Sequence, residues 1–208
     1  MNAKDNYSLE EAGMAQMDDS VGALLKHLED IGEADNTIVI FTTDNGAEVF
    51  TWPDGGMTPF RATKGTVYEG GFRVPCIIRW PGKVKPRSVE NGIFSGLDWL
   101  PTLAAAAGDL DVKDKLLNGV EFEGRTYKNH LDGYNQLDVL LGKWPSARHE
   151  IFYFGGPHLG ALRLDDFKFQ LFQQPQGWPG EKVGPTCRRS SISVRTPSSG
   201  PRPSAAKT

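Results

Sequence analysis

Asp44 and Asn45 stand together in Thr42-Thr43-Asp44-Asn45-Gly46, directly after the short apolar run Thr37-Ile38-Val39-Ile40-Phe41. Asp offers a charged oxygen and Asn a neutral one, a combination that suits a hard cation such as Ca²⁺. Neither suits a soft metal, and a histidine in place of Asn45 would point to zinc or another transition metal instead. Ligand sites in open α/β sheets form outside the carboxyl ends of strands, which is where this pair falls. An isolated Asp-Asn-Gly also reads as a plain turn. Lys64, in Thr63-Lys64-Gly65-Thr66, offers a compact point charge able to hold an anionic oxygen. Gly65 beside it allows close backbone approach. Taken alone, Lys64 reads as a solvated loop residue.

The elements that must position these residues are legible around them. Ser8-Leu9-Glu10-Glu11 has the form of a capping box. Met14, Met17, Val21, Leu24, Leu25 and Leu28 then recur at helical spacing, which predicts an amphipathic helix over residues 9 to 31 with Gly32 as its stop. The run from Thr37 to Phe41 predicts a strand buried on both faces, as in a parallel sheet between helices. Helix followed by strand is the α/β signature.

From Gly46 to Gly71 the chain is rich in Gly and Pro, and a loop of that length in a compact domain is usually functional or disordered. Trp52 and Phe60 in this loop could line an aryl pocket or pack beneath it. Val74 to Trp80 reads as a second strand. Asp98 is placed to cap a helix with Pro101 in its first turn and Gly108 after its end. Ile151 to Phe154, Ala161 to Leu164 and Phe167 to Phe172 read as antiparallel strands, with Asp165-Asp166 turning the last two. The expected organisation is an α/β part over 1–145, a β-rich part over 146–186, and a disordered basic tail over 187–208.

Composition excludes some classes. With 38% hydrophobic and 24% charged residues, the chain is an ordinary globular sequence. Its formal net charge of -3 argues against a general nucleic-acid binder. No apolar run approaches the roughly 18 residues of a membrane span. Cys76 and Cys187 are far apart and lack metal-type spacing.

Taken in order, the segments from Thr42 to Glu48, from Trp52 to Gly56, from Thr58 to Arg61, and from Lys64 through Glu69-Gly70-Gly71-Phe72-Arg73-Val74-Pro75 closely resemble the formylglycine-dependent (type I) sulfatases, bacterial arylsulfatases in particular. Asp35 to Val39, Arg79-Trp80-Pro81-Gly82 and Asp98 to Leu103 extend the likeness, which covers most of residues 7 to 186. The resemblance implies a partial alkaline-phosphatase-like α/β fold. It also implies that Asp44 and Asn45 are two of the Ca²⁺ ligands and that Lys64 binds the sulfate group. Glu69, Gly70, Gly71 and Arg73 resemble shaping residues rather than catalytic ones. The implied partner is a sulfate monoester, small molecule or glycan.

Members of that family make formylglycine from the cysteine of a C-x-P-S-R segment, which these residues do not contain. Cys76 is followed by Ile77-Ile78, and Cys187-Arg188-Arg189-Ser190-Ser191 lacks both the proline and the final arginine. The family's Asp-Asp metal pair and its histidines also find no match here. The expectation is a sulfatase fragment that is inactive by itself, with an incomplete Ca²⁺ ligand set. The alternatives are a related phosphodiesterase or phosphonate hydrolase, and a non-catalytic truncated pseudoenzyme. Those relatives commonly carry Asp-His-Gly where this chain has Asp44-Asn45-Gly46. One permitted set of codons for Cys187 to Gly200, read two bases on, spells the family-like P-S-F-V-N-L-R-P-D-P-F-E-R. A shifted reading frame is therefore the expected origin of the tail.

Overall fold

The computed structural model describes residues 7–51 and 56–184, together with the backbone of Ser191–Ser193. Its contacts divide these into two compact units that do not follow chain order. The first draws on Met1–Lys83, Tyr153–Ala161 and Leu171–Arg188, and the second on Val84–Phe152, Leu162–Gln170 and Arg189–Thr208.

In the first unit, helix α1 spans Leu9–Asp30 and its expected capping box is formed. The Ser8 side chain accepts from the Glu11 backbone N–H at 3.3 Å, and the Glu11 carboxylate accepts from the Ser8 N–H at 2.8 Å. Gly32 ends the helix at a φ of 77°, a left-handed conformation that costs glycine little. None of the residues of α1 is buried, and Leu9, Met14 and Leu24 lie exposed.

The expected strand after α1 is β1, Val39–Thr42. It pairs antiparallel with β2, Cys76–Arg79, in register Val39↔Arg79 to Thr42↔Cys76. That differs from the parallel, doubly covered strand the apolar run predicts. Val39, Ile40 and Phe41 are half-buried rather than enclosed, because β2 is the one strand hydrogen-bonded to β1 among the described residues. Next comes a single helical turn, α2, at Glu69–Phe72, with Glu69, Gly70 and Gly71 buried.

In the second unit, a 3₁₀ turn at Gly96–Asp98 leads into α3, Trp99–Ala106. Asp98 stands at the N-cap position of α3, yet it does not cap the helix as the sequence predicts. Its side chain makes no capping bond to α3. Instead Ser95 caps the 3₁₀ turn, and Asp98 reaches back to the Ser95 N–H at 2.9 Å. Helix α4, Val112–Asn118, precedes the hairpin of β3, Val120–Phe122, and β4, Arg125–Tyr127. A short helix α5, Leu137–Leu140, follows.

The unit is organised around Asp98, which is fully buried, and Arg148, whose side chain is 4% exposed. The Arg148 guanidinium donates from Nη2 to Asp98 Oδ1 at 2.7 Å and from Nε to Oδ2 at 3.0 Å. The Tyr134 N–H donates to Asp98 Oδ1 at 2.8 Å. Buried Gln136 continues the network through Thr102 and Ser146.

The remaining strands are β5, Glu150–Gly155, β6, His158–Leu164, and β7, Phe167–Gln170, as the sequence predicts. They form one sheet in the order β5-β6-β7-β8, where β8 is Ser191–Ser193. Asp165 makes the turn between β6 and β7 with a positive φ of 50°. The backbone of β8 pairs antiparallel with β7, although a disordered tail is expected from residue 187. Main-chain pairing along an edge strand needs no apolar side chain. The rest of the tail lies outside the described residues.

Candidate functional site

Strand β1 delivers Asp44 and Asn45 onto a platform of backbone packed against backbone. Gly46 donates its N–H to Gly71 O at 3.0 Å, and Lys64 donates its N–H to Ala47 O at 2.9 Å. Gly70 donates to Arg61 O at 2.8 Å. These three bonds clamp the Asp-Asn-Gly segment against the Lys64 loop and the turn α2. The glycines are steric requirements. A methyl group on Gly46 would overlap the Gly70 carbonyl, one on Gly70 would overlap the Ala62 carbonyl, and one on Gly71 would overlap the Thr66 carbonyl.

Side chains fix the platform from beneath. Glu69, 6% exposed, accepts a hydrogen bond from the Tyr153 hydroxyl at 2.7 Å. The Phe72 and Tyr153 rings meet edge to face at 4.8 Å. The Thr66 hydroxyl donates to Thr63 O at 2.7 Å. Arg61 lies over the Tyr68 ring at 4.3 Å, and Arg73 over Phe60 at 4.4 Å. Phe60 thus packs beneath a cation, while Trp52 lies outside the described residues.

Asp44 and Asn45 both line a cavity of about 460 Å³, a size within the usual range for small-molecule sites. The Asn45 amide nitrogen donates to Gly46 O at 3.1 Å, which leaves its side-chain oxygen as the acceptor. The Lys64 ammonium lies 3.6 Å from Glu48 Oε2 and 5.4 Å from the centre of the Trp178 ring. Trp178 and Gly65 line the same cavity as Asp44 and Asn45, whereas Lys64 itself is not among the residues lining it. Among the described residues no group of three or more His, Cys, Asp and Glu side chains is arranged to hold a metal ion.

Sequence reasoning missed the opposite wall. Gln173 and Val183 exchange backbone hydrogen bonds at 2.8 and 2.9 Å and close a loop between them. That loop places Gln174, Trp178 and Lys182 on the cavity. Lys182 Nζ donates to Gly155 O at 2.8 Å. The available signal was Trp178 itself, a large aromatic between Gly177 and Pro179 in a polar loop, where no core requires one.

A carboxylate and an amide follow the end of β1 and line one cavity, and a lysine stands on the adjoining loop. The sequence model of the family described as Sulfatase matches residues 3–109. The chain is 34% identical to human arylsulfatase A over 86% of its own length and 33% of that protein's. It is also 34% identical to human N-acetylgalactosamine-6-sulfatase, over 81% of this chain and 30% of that one. Among solved structures, a sulfatase from Pseudoalteromonas sp. superposes with a TM-score of 0.69 at 30% identity, covering 84% of this chain and 34% of the other. The chain belongs to the sulfatase family, and it carries part of the alkaline-phosphatase-like α/β fold. It spans about a third of the length of the curated relatives it matches.

Proposed function

We propose that this chain supplies part of the cation-and-sulfate clamp of a sulfuric ester hydrolase, an enzyme that cleaves sulfate monoesters. The observation that carries the reading is the pair of backbone bonds, Gly46 to Gly71 and Lys64 to Ala47, that tie the Asp-Asn pair to the lysine loop. Lys64 holds the sulfate oxygens, and Glu48 steadies the ammonium from the side. A sulfate entering the site replaces Glu48 as the main partner of that charge.

Asp44 and Asn45 fit Ca²⁺ as two hard oxygen donors facing one cavity, so they would hold it from the strand side. When bound, the ion supplies positive charge against the developing charge on the sulfate oxygens. About six oxygen ligands are usual for Ca²⁺, so these two make only part of a set. The chain also contains no C-x-P-S-R segment from which a formylglycine nucleophile could form. The chain by itself is therefore expected to bind Ca²⁺ with a Kd above about 10⁻⁴ M, weaker than most complete sites. It is expected to release no 4-nitrophenol from 4-nitrophenyl sulfate. Calorimetric titration and a colorimetric assay check both points, and measurable turnover by the purified chain would refute the second.

The anion half of the reading has its own test. Charge-assisted hydrogen bonds are worth about 1.5–3 kcal/mol, so Lys64→Ala is expected to weaken inorganic sulfate binding by about tenfold or more. Chemical-shift titration of the full chain reads the affinity. Equal affinities for the parent and Lys64→Ala chains would remove Lys64 from the sulfate site.

A further inference from the structure

We infer that Lys182 is a second anion-holding residue of this site, a cation from the loop between Gln173 and Val183 that takes an oxygen of the sulfate group. The inference rests on the reading of the cavity as the place where the ester is held. It does not depend on the role given to Lys64. Of the described residues that line the cavity, Asp44 is the one anion and Lys182 the one cation. Lys64 is not among them, and Glu48 already faces its ammonium at 3.6 Å. Lys182 has no such counter-charge, since among the described residues no carboxylate makes an ion pair with it. Its charge is free for a ligand, whereas Lys64 must first give up Glu48.

Lys182 is exposed, so its aim has to come from its anchors. Its Nζ donates to Gly155 O at 2.8 Å and lies 5.3 Å from the centre of the Phe172 ring. A carbonyl on one side and a ring face on another hold a cation in place. An ammonium has three donors, and the carbonyl uses one, which leaves the others for anionic oxygens. The ring fits there because positions 155 and 160 carry no side chain. A Cβ on Gly155 would come within 2.8 Å of the Phe172 ring, and one on Gly160 within 2.6 Å. The backbone pair of Gln173 and Val183 fixes the loop one residue beyond Lys182. Gly155 ends β5 and lines the cavity with Gly156, so the ammonium is held where that strand meets the cavity wall. A compact point charge suits a tetrahedral oxyanion, which has no planar face for a fork of donors.

The full-length chain, ¹⁵N-labelled, is titrated with inorganic sulfate. Sulfate is expected to move the backbone amide resonances of Gly155 and Gly156. Lys182→Gln keeps a hydrogen-bond donor without the charge, and it is expected to weaken sulfate binding by about fivefold. Lys182→Arg keeps the charge and is expected to retain most of the affinity. Added sodium chloride should weaken binding by the parent more than by Lys182→Gln, which has lost a charge that salt screens. A purely structural lysine would not produce that difference. The inference is overturned if Lys182→Gln binds sulfate as the parent does, if Lys182→Arg loses as much as Lys182→Gln, or if the two glycine amides do not respond. Lys64→Ala is the separate arm. Weakened binding there with none in Lys182→Gln overturns this inference and leaves the Lys64 reading standing. Weakened binding in Lys182→Gln alone upholds the inference and removes Lys64 from the site. A parent chain that binds no sulfate overturns both.

Discussion

Asp98→Asn is expected to destabilise the chain by about 3–5 kcal/mol, the range for leaving one member of a buried ion pair without its counter-charge. Arg148 would remain in place with its side chain 4% exposed and without the Asp98 carboxylate that pairs it. The nearby Glu150 carboxylate, 3.5 Å from Nη1, is partly exposed and replaces little of what is lost. A domain of this kind has about 5–15 kcal/mol in total, so the loss is a large share. The pH dependence separates charge from shape. Burial alone pushes the Asp98 carboxyl up. The hydrogen bonds from Arg148, Ser95 and Tyr134, with the Arg148 charge, outweigh burial and hold it below the ordinary carboxylate range. A group depressed in the folded state contributes stability above its unfolded pKa and loses it as pH falls through the folded one. The parent chain should therefore lose stability below about pH 4, and Asp98→Asn should lack that part of the acid sensitivity. Urea unfolding at pH 7 and pH 3 measures both. A variant within about 1 kcal/mol of the parent at pH 7 would show that the pair does not organise its unit.

That pair also marks the limit of what the sequence discloses. Helix α1 was legible because its cap, its spacing and its glycine stop all lie within one continuous stretch. The hairpin through Asp165 was legible for the same reason. Asp44, Asn45 and Lys64 stood out because their segments recur in a known order and spacing, which is family information rather than geometry. Asp98 looked like a helix cap because its neighbours Trp99 to Ala106 do form a helix. Its true partner Arg148 lies 50 residues away, beyond the reach of any local pattern. The Gln174 wall was hidden for a like reason, since Gln174 meets Tyr68 across 106 residues of chain. Polar contacts between loops have no periodicity, so only the folded chain displays them. The apolar run of β1 misled in the opposite way. It states how much burial the strand can accept, and the strand beside it decides the pairing direction.

Gly70→Ala is expected to cost about 3 kcal/mol, at the upper end for an overpacked position, and to abolish sulfate binding with it. The new methyl group would be driven into the carbonyl oxygens of Arg61 and Ala62, which are backbone and cannot rotate away. The same carbonyl of Arg61 accepts the Gly70 N–H at 2.8 Å, so relief by separation breaks a hydrogen bond. The Asp-Asn-Gly segment would feel the shift at once, because Gly46 packs on Gly70 and bonds to Gly71. Gly22→Ala in α1 is the matched control. Nothing lies within 4 Å of a Cβ there, and alanine in a helix interior gains roughly 0.5–1 kcal/mol over glycine. One methyl group should thus stabilise at position 22 and dismantle the site at position 70, as thermal melts and sulfate titrations of the two variants would record. If Gly70→Ala kept the parent's sulfate affinity, the backbone bonds that tie the Asp-Asn-Gly segment to the Lys64 loop would not be what the proposed sulfate site depends on.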